Sequence, residues 1–150
     1  LTKRAQRVEH HKGEISFPGG AKEENDISLE QTAIRETYEE IGITSDNIKI
    51  LGVLDKICTV VSEFMVTPYV ASIKYPYSLK INFSEVEEVF EVPFSFFLDE
   101  KNHWENVFLY EDKKIKSHYF KWREDIIIWG VTAQIIRNFC CIIQNLENIF

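Results

Sequence analysis

Apolar residues recur at helical spacing in two segments of the chain. The segment from Ser28 to Gly42 begins with a residue suited to an N-cap and ends with a glycine suited to stop a helix. The segment from Thr132 to Leu146 carries one apolar stripe, which predicts a helix packed against the core. That stripe consists of Ile135, Ile136, Phe139, Ile142, Ile143 and Leu146.

Shorter apolar runs between these helices are typical of β-strands. Strands alternating with two helices predict an α/β or mixed α+β fold, with a mixed sheet between helices. The predicted strands are 1–4, 14–17, 48–55, 57–61, 64–73 and 125–129, and a hairpin joins 106–111 to 115–122 around Asp112-Lys113. Residues 93–98 begin a short helix, and residues 85–92 mix apolar and acidic residues without a clear preference.

The chain has 150 residues and a formal net charge of −7. This length predicts one domain, 1–150, with a proper core. The negative charge disfavours nucleic acid and anionic lipid as partners, so we expect a small-molecule substrate held by a local basic patch or a cation. No apolar run is long enough for a membrane span. The single methionine is Met65, so we expect that a natural N-terminal start is missing.

The three cysteines predict reduced thiols rather than a disulfide framework. Cys140 and Cys141 are adjacent, and Cys58 is distant in sequence. An odd count of this kind is typical of a reducing compartment, so we expect a cytoplasmic protein. Neither the cysteines nor the adjacent His10 and His11, which would point to opposite sides of a strand, predict a zinc site.

Three carboxylates share one face of the first predicted helix. At about 100° per residue, Glu36, Glu39 and Glu40 fall in one patch. Like charges this close repel, and a divalent cation with oxygen ligands removes the repulsion. A solvated acidic face is the alternative, but no lysine follows Glu36 or Glu39 at the stabilising spacing. The opposite, buried face would carry Ile34, Tyr38 and Ile41.

The segment from Gly20 to Ile43 resembles the Nudix box, G-x5-E-x7-R-E-U-x-E-E-x-G-U, where U is a bulky aliphatic residue. Gly20 and Asp26 keep the motif's mutual spacing, with one residue inserted between Asp26 and Arg35. Asp26 replaces the usual Glu, and Thr37 replaces the usual aliphatic residue. The residues that match without adjustment are Arg35, Glu36, Glu39, Glu40, Gly42 and Ile43.

This resemblance implies the Nudix fold and hydrolysis of a nucleoside diphosphate linked to another group X, with Mg²⁺ or Mn²⁺. It implies that Glu36 and Glu40 are the main metal ligands, and that Glu39 ligates directly or through water. The backbone carbonyl at Gly19-Gly20 would complete the shell, while Arg35 would orient the carboxylates. The general base varies in the family, and the candidates are Glu85, Glu87 and Glu88.

The N-terminal flank LTKRAQRVEHHKGEISFPGG resembles the coenzyme A pyrophosphatase branch of the family, with L-T-x-R and H-x-G before F-P-G-G. This implies cleavage of coenzyme A or acyl-CoA to 3',5'-ADP and 4'-phosphopantetheine. One departure is Glu63, where we expect a glycine before the phenylalanine. The matching residues are Leu1, Thr2, Arg4, His11, Gly13, Phe17, Pro18, Gly19 and Gly20.

A basic cluster in the same flank is suited to phosphates that the metal does not contact. Arg4, Arg7 and Lys12 are its candidate substrate-binding residues, with Gly19 and Gly20 beside them. A solvated strand edge explains this cluster equally well. Two functional alternatives stay open: a Nudix hydrolase of ADP-ribose, a dinucleotide or an oxidised nucleotide, and a non-catalytic nucleotide sensor. The oligomeric state, monomer or homodimer, also stays open.

Overall fold

The computed structural model describes residues 1–7, 11–60 and 63–147. The chain divides into two compact units, unit 1 (Leu1–Lys56 and Val66–Phe90) and unit 2 (Ile57–Met65 and Glu91–Phe150). In chain order the elements are β1 (Thr2–Arg4), β2 (Ile15–Ser16), α1 (Leu29–Ile41), β3 (Ile48–Val53), β4 (Ile57–Cys58), β5 (Met65–Val66), β6 (Tyr69–Ile73), β7 (Val86–Val89), α2 (Phe94–Leu98), β8 (His103–Tyr110), β9 (Lys113–Arg123), β10 (Ile126–Trp129) and α3 (Gly130–Glu147).

Unit 1 contains α1 and two small antiparallel sheets. In the first sheet β1 lies between β2 and β7, so that Thr2 is opposite both Ser16 and Val89. In the second sheet β3 pairs with β6. The sheet positions of Thr2 and Val86 are almost fully buried, and Ile15 and Ile41 are buried as well. This small core supports the loop and helix that carry the Nudix-like motif.

Both predicted ends of α1 are confirmed. The Ser28 hydroxyl accepts a hydrogen bond from the backbone N–H of Gln31 at 3.1 Å, as an N-cap does. Gly42 has a φ of 76° and donates its N–H to the carbonyl of Tyr38 at 2.8 Å. The predicted buried face is wrong at one position, because 56% of Tyr38 is exposed.

Unit 2 contains α2, α3 and the three-stranded sheet β10–β9–β8. The sheet's inner face carries Phe120, Ile126 and Ile128, none of which is exposed to solvent. Helix α3 packs on β9 and β10, and it contributes Ala133 and Cys140 to the same core. Of the apolar stripe predicted for this helix, Ile136 is buried in the core, whereas Ile142 and Leu146 are exposed.

Several predicted strands differ from the structure. Of the predicted strand 57–61, β4 covers only Ile57–Cys58. Residues 64–73 form two strands, because β5 ends at Val66 and β6 begins at Tyr69. Pro68 lies in this break; it has no N–H to donate, although its carbonyl accepts from Leu54 N–H at 2.9 Å. The segment 85–92 resolves into the strand β7.

The turn of the β8–β9 hairpin lies one residue earlier than predicted. Tyr110 is paired with Lys113, so Glu111 and Asp112 form the two-residue turn. Both have positive φ, 46° and 62°, which is the conformation of a type I′ turn. The strands are also longer than predicted, since pairing extends back to His103.

The combination of helices with several small sheets confirms the predicted fold class. Within the described parts of the chain, no helix is both long enough and apolar enough to cross a membrane.

Candidate active site

The Phe-Pro-Gly-Gly turn lies directly against the carboxylates of α1. A Cβ added to Gly20 would lie 2.6 Å from Cδ of Glu36, a distance at which the carboxylate has to shift. The backbone N–H of Gly19 donates to Oε1 of Glu40 at 3.4 Å. A side chain at position 20 would therefore displace the carboxylate of Glu36 from its observed position.

Arg35 joins the loop to the acidic face of the helix. Its Nη1 lies 2.8 Å from a carboxylate oxygen of Glu39 and 3.0 Å from one of Glu36. Its Nη2 lies 3.1 Å from Oδ2 of Asp26 and donates to the carbonyl of Ala21 at 3.2 Å. One guanidinium thus holds two helix carboxylates and the loop in a fixed arrangement, as the family resemblance implies for this residue.

Asp26, whose role the sequence did not define, is a buried anchor for the loop. Only 4% of it is exposed, and it accepts hydrogen bonds from Thr32 Oγ1 at 3.0 Å and from Glu23 N–H at 2.9 Å. The hydrogen bond from Arg35, with these others, lowers the pKa of Asp26 to about 2. Asp26 in turn raises the pKa of Arg35, so the pair is charged over the whole physiological range. The shorter carboxylate reaches this partner despite the inserted residue.

Glu40 and Glu36 carry their carboxylates into partly dry surroundings. Glu40 is only 3% exposed, and burial raises its pKa to about 7. Burial also raises the pKa of Glu36. The negative charge of Glu36 raises the pKa of Glu40 further. The hydrogen bond from Gly19 N–H and the positive charge of Arg4 lower it. A solvated acidic face does not describe these two residues, because Glu40 is buried and only 14% of the Glu36 side chain is exposed.

The donor set at this site fits a hard divalent cation. Glu36 and Glu40 offer carboxylate oxygens beside the backbone of Gly19 and Gly20, and oxygen ligands of this kind suit Mg²⁺ or Mn²⁺. Glu39 is turned toward Arg35. Among the described residues, the three helix carboxylates do not form a group whose ligand atoms all lie within 4.8 Å of one another. Glu39 in this position therefore suits a contact through water better than a direct one.

The three predicted basic residues occupy different surroundings. Arg4 is half-buried at the end of β1, its charge lowers the pKa of Glu40, and its buried Nε has no hydrogen-bond partner among the described atoms. Arg7 lines a shallow cavity of ≈ 290 Å³ together with Phe83 and Glu87. Lys12 is exposed. Of the three, Arg4 is the one whose charge acts on the carboxylate site.

The candidate general bases are separated by the structure. The charge of Glu85 raises the pKa of both Glu36 and Glu40, so Glu85 is the candidate that interacts with the helix carboxylates. Glu87 forms an ion pair with Lys3 at 2.9 Å. Glu88 is half-buried opposite Lys3 in the β1–β7 pair.

Three further positions singled out in the sequence are His10 and His11 in the N-terminal flank and Glu63 between β4 and β5. His10 lies outside the described residues, whereas His11 is exposed with its Nδ1 3.0 Å from a carboxylate oxygen of Glu14. Glu63, at the position where a glycine was expected, has a φ of 53°. The backbone there adopts the left-handed conformation that favours glycine.

A group of possible ligands that was not predicted from the sequence lies in unit 2, where His103, Glu105 and His118 come together. Their spacing resembles no linear metal motif. The signal was the hairpin itself, because antiparallel pairing places residues on opposite sides of the turn next to each other.

Comparison with known proteins supports the motif assignment. The NUDIX domain model matches residues 1–111. A protein from Pectobacterium atrosepticum named "Uncharacterized Nudix hydrolase NudL" is 37% identical over 139 residues, which cover 91% of this chain and 70% of that protein. Proteins of the same name from Citrobacter koseri and Photorhabdus laumondii are 35% and 34% identical, and they cover 91% and 96% of this chain.

These matches extend over most of both chains and include the loop and helix that carry Asp26, Arg35 and the three glutamates. The chain therefore belongs to the NUDIX domain family and is a Nudix hydrolase.

Proposed function

We propose that the substrate of this Nudix hydrolase is coenzyme A or an acyl-CoA. The observation that carries the proposal is Arg4, which ends β1 inside the L-T-x-R sequence and exerts its charge on Glu40. A cation beside the carboxylate site, with a buried Nε that lacks a partner, is suited to a substrate phosphate. The sequence flank supplies the same argument, since its pattern resembles the coenzyme A pyrophosphatase branch.

Glu36 and Glu40 would hold the divalent cation, with Glu39 acting through water and the Gly20 carbonyl beside them. When bound, such a cation neutralises charge on the pyrophosphate and increases the acidity of water. Arg35 holds the helix carboxylates in place through its contacts with Glu36 and Glu39.

Glu85 is the proposed general base. It is exposed, and its charge reaches both Glu36 and Glu40, so a water molecule at the carboxylate site has an acceptor for its proton nearby. The water oxygen forms a new bond to one phosphorus, and the bridging P–O bond breaks. The products are 3',5'-ADP and 4'-phosphopantetheine. Glu88, opposite Lys3, is the second candidate.

The cavity beside Arg7 is the proposed location for the adenosine end of the substrate. Phe83 is 62% exposed and lines this cavity together with Arg7, so the cavity wall includes one aromatic and one basic residue. An aromatic ring stacks on a nucleobase, and arginine binds phosphate oxygens through two parallel hydrogen bonds. Arg7, with exposed Lys12 in support, is thus proposed to bind the 3'-phosphate that distinguishes coenzyme A from its dephospho form.

The test compares kcat/KM for coenzyme A, dephospho-coenzyme A and ADP-ribose in the presence of Mg²⁺, with products identified by mass. We expect coenzyme A to exceed dephospho-coenzyme A by about tenfold to a hundredfold, the value of one lost charge-assisted contact. Arg7→Ala should narrow that ratio. Lys49→Ala, which removes an exposed cation from β3, is the control and should leave the ratio unchanged.

A tenfold advantage of ADP-ribose or a dinucleotide over coenzyme A would contradict the substrate assignment. It would favour the second candidate, a Nudix hydrolase of another nucleoside diphosphate derivative. No hydrolysis of any member of the panel would instead favour the nucleotide sensor.

We further propose that the whole chain acts as one Nudix domain in the cytoplasm. The free thiols at Cys58, Cys140 and Cys141 are compatible with a reducing compartment.

A further inference from the structure

Three ligand-type side chains converge on one face of the β8–β9 hairpin. Glu105 is directly opposite His118 in the strand register, and His103 lies two residues before Glu105 on the same side of β8. Nε2 of His103 is 2.9 Å from Nδ1 of His118, and that same Nδ1 is 3.4 Å from Oε1 of Glu105. The three ligand atoms all lie within 4.8 Å of one another.

Both imidazoles are largely shielded from solvent. The side chain of His103 is 8% exposed and that of His118 is 12% exposed, whereas Glu105 is 38% exposed. Phe120 packs against the His103 ring with a centroid separation of 5.1 Å. The two imidazole nitrogens are therefore shielded from solvent, whereas the carboxylate of Glu105 is at the surface. An ion can reach the three side chains from the solvent side of Glu105.

A second layer of charged groups holds these donors in place. Oε2 of Glu100 is 3.5 Å from Nδ1 of His103, and Arg137 on α3 binds the other oxygen of Glu100 at 2.7 Å. Lys116 binds Oε2 of Glu105 at 2.7 Å, which leaves Oε1 turned toward His118. A carboxylate on the distal nitrogen of a histidine is the arrangement that orients histidine ligands in metal sites.

We propose that His103, His118 and Glu105 bind one divalent transition-metal ion of the zinc class. Two imidazole nitrogens and one carboxylate oxygen, with a fourth position for water, form a ligand set that suits Zn²⁺ and disfavours Mg²⁺. A metal bound at Nε2 of His103 leaves that ring's proton on Nδ1, where it faces Glu100. The ion would cross-link β8 to β9 within unit 2.

The distances are close to those that zinc requires. Ligand atoms at 2.0–2.1 Å from a tetrahedral ion are separated by roughly 3.3 Å. The two imidazole nitrogens, now 2.9 Å apart as a hydrogen-bonded pair, have to separate by only a few tenths of an ångström.

The test is calorimetric titration with ZnCl2 in a large excess of Mg²⁺, combined with thermal unfolding with and without Zn²⁺. Glu40→Gln provides the background in which the α1 carboxylates contribute least. In that background we expect one tight zinc equivalent and a rise in Tm, because a ligand that binds only the folded state stabilises it. His118→Gln and His103→Gln should each weaken zinc binding more than about 100-fold, beyond the effect of losing an outer-sphere partner.

Two further variants keep the test decisive. His11→Gln removes an exposed histidine of unit 1 and should leave zinc affinity unchanged. Glu105→Gln alters an exposed ligand, so folding is retained, and zinc affinity should fall about tenfold or more. The proposal is overturned if the Glu40→Gln protein binds no equivalent of zinc tightly. Unchanged affinity in Glu105→Gln together with either histidine variant overturns it too, and Glu105→Gln alone decides if the histidine variants do not fold.

Discussion

Glu40 combines a negative charge with burial, and this combination lies beyond what a helical pattern predicts. The box motif implies that Glu36 and Glu40 are metal ligands, and their spacing of four residues places them on one side of α1. Burial is set by the loop that folds over the helix, through Gly19 and Gly20. Such tertiary contacts have no signature in the periodicity of the helix itself. The same periodicity predicted that Tyr38 is buried, whereas it is exposed.

Gly20→Ala tests the close approach of the loop to the helix. The added Cβ would displace the carboxylate of Glu36, and a misplacement of about 1 Å at a catalytic site costs on the order of 100-fold in rate. We expect kcat/KM for the best substrate to fall by about that factor while Tm changes little. Gly19→Ala is the matched control, because a Cβ there meets nothing within 4 Å. Equal losses in both variants would contradict this interpretation.

Asp26 gives a pH-dependent contribution to stability. Its pKa is lowered from 3.8 to about 2 in the folded protein, so the unfolded chain binds more protons between these values. The contribution of Asp26 is complete above the unfolded pKa, and it disappears as the pH falls toward 2. The difference in free energy of unfolding between wild type and Asp26→Asn should therefore shrink as the pH falls from about 5 to about 2.

Urea unfolding across this pH range measures the Asp26 effect. Glu30→Gln is a suitable control, since it removes one exposed carboxylate from the first turn of α1. Its difference from wild type should vary less with pH than that of Asp26→Asn. A difference for Asp26→Asn that stays constant from pH 5 to pH 2 would show that Arg35 does not depend on the charge of Asp26.

The ends of helices were predicted correctly where neighbouring residues in the sequence determine them. The end of a strand was predicted wrongly where the register between two strands determines it. The caps of α1 follow from Ser28 and Gly42, which act through contacts within a few residues. The β8–β9 turn depends on register, which is fixed by contacts along both strands. A turn of Glu111-Asp112 lacks the glycine that normally marks a type I′ turn, so sequence alone placed it one residue late.

Glu111→Gly distinguishes the observed turn from the predicted one, because Glu111 is a turn residue in the structure and a strand residue in the prediction. Glycine adopts positive φ without steric cost, so relief of the left-handed conformation at Glu111 should stabilise the protein by about 0.5–1 kcal/mol. Lys113→Gly is the matched control, because Lys113 begins β9, where glycine destabilises by about 0.5–1 kcal/mol. Urea unfolding measures both changes. Stabilisation by Lys113→Gly together with destabilisation by Glu111→Gly would restore the predicted register.

At the scale of the whole molecule, composition and length predicted ample core material. The structure distributes this material over two compact units, each with its own buried residues, such as Val86 in unit 1 and Phe120 in unit 2. The cluster of His103, Glu105 and His118 could not be predicted from the sequence, because it depends on how the chain folds. Its members meet only because a hairpin of correct register and a helix carrying Arg137 surround them.

The three cysteines are expected to differ in their reactivity toward thiol reagents, because two are at the surface and one is in the core. Cys58 and Cys141 are exposed, whereas Cys140 is fully buried, with its Sγ 3.6 Å from the carbonyl of Phe97. Burial raises the pKa of the Cys140 thiol, and the thiolate is the reactive form. Without reductant, Ellman's reagent should therefore modify two thiols rapidly in the folded protein and the third only after denaturation. Cys140→Ser should keep both rapid thiols and lose the delayed one. Fewer than two rapid thiols would reveal a disulfide, and three would mean that Cys140 is not held in the core of unit 2.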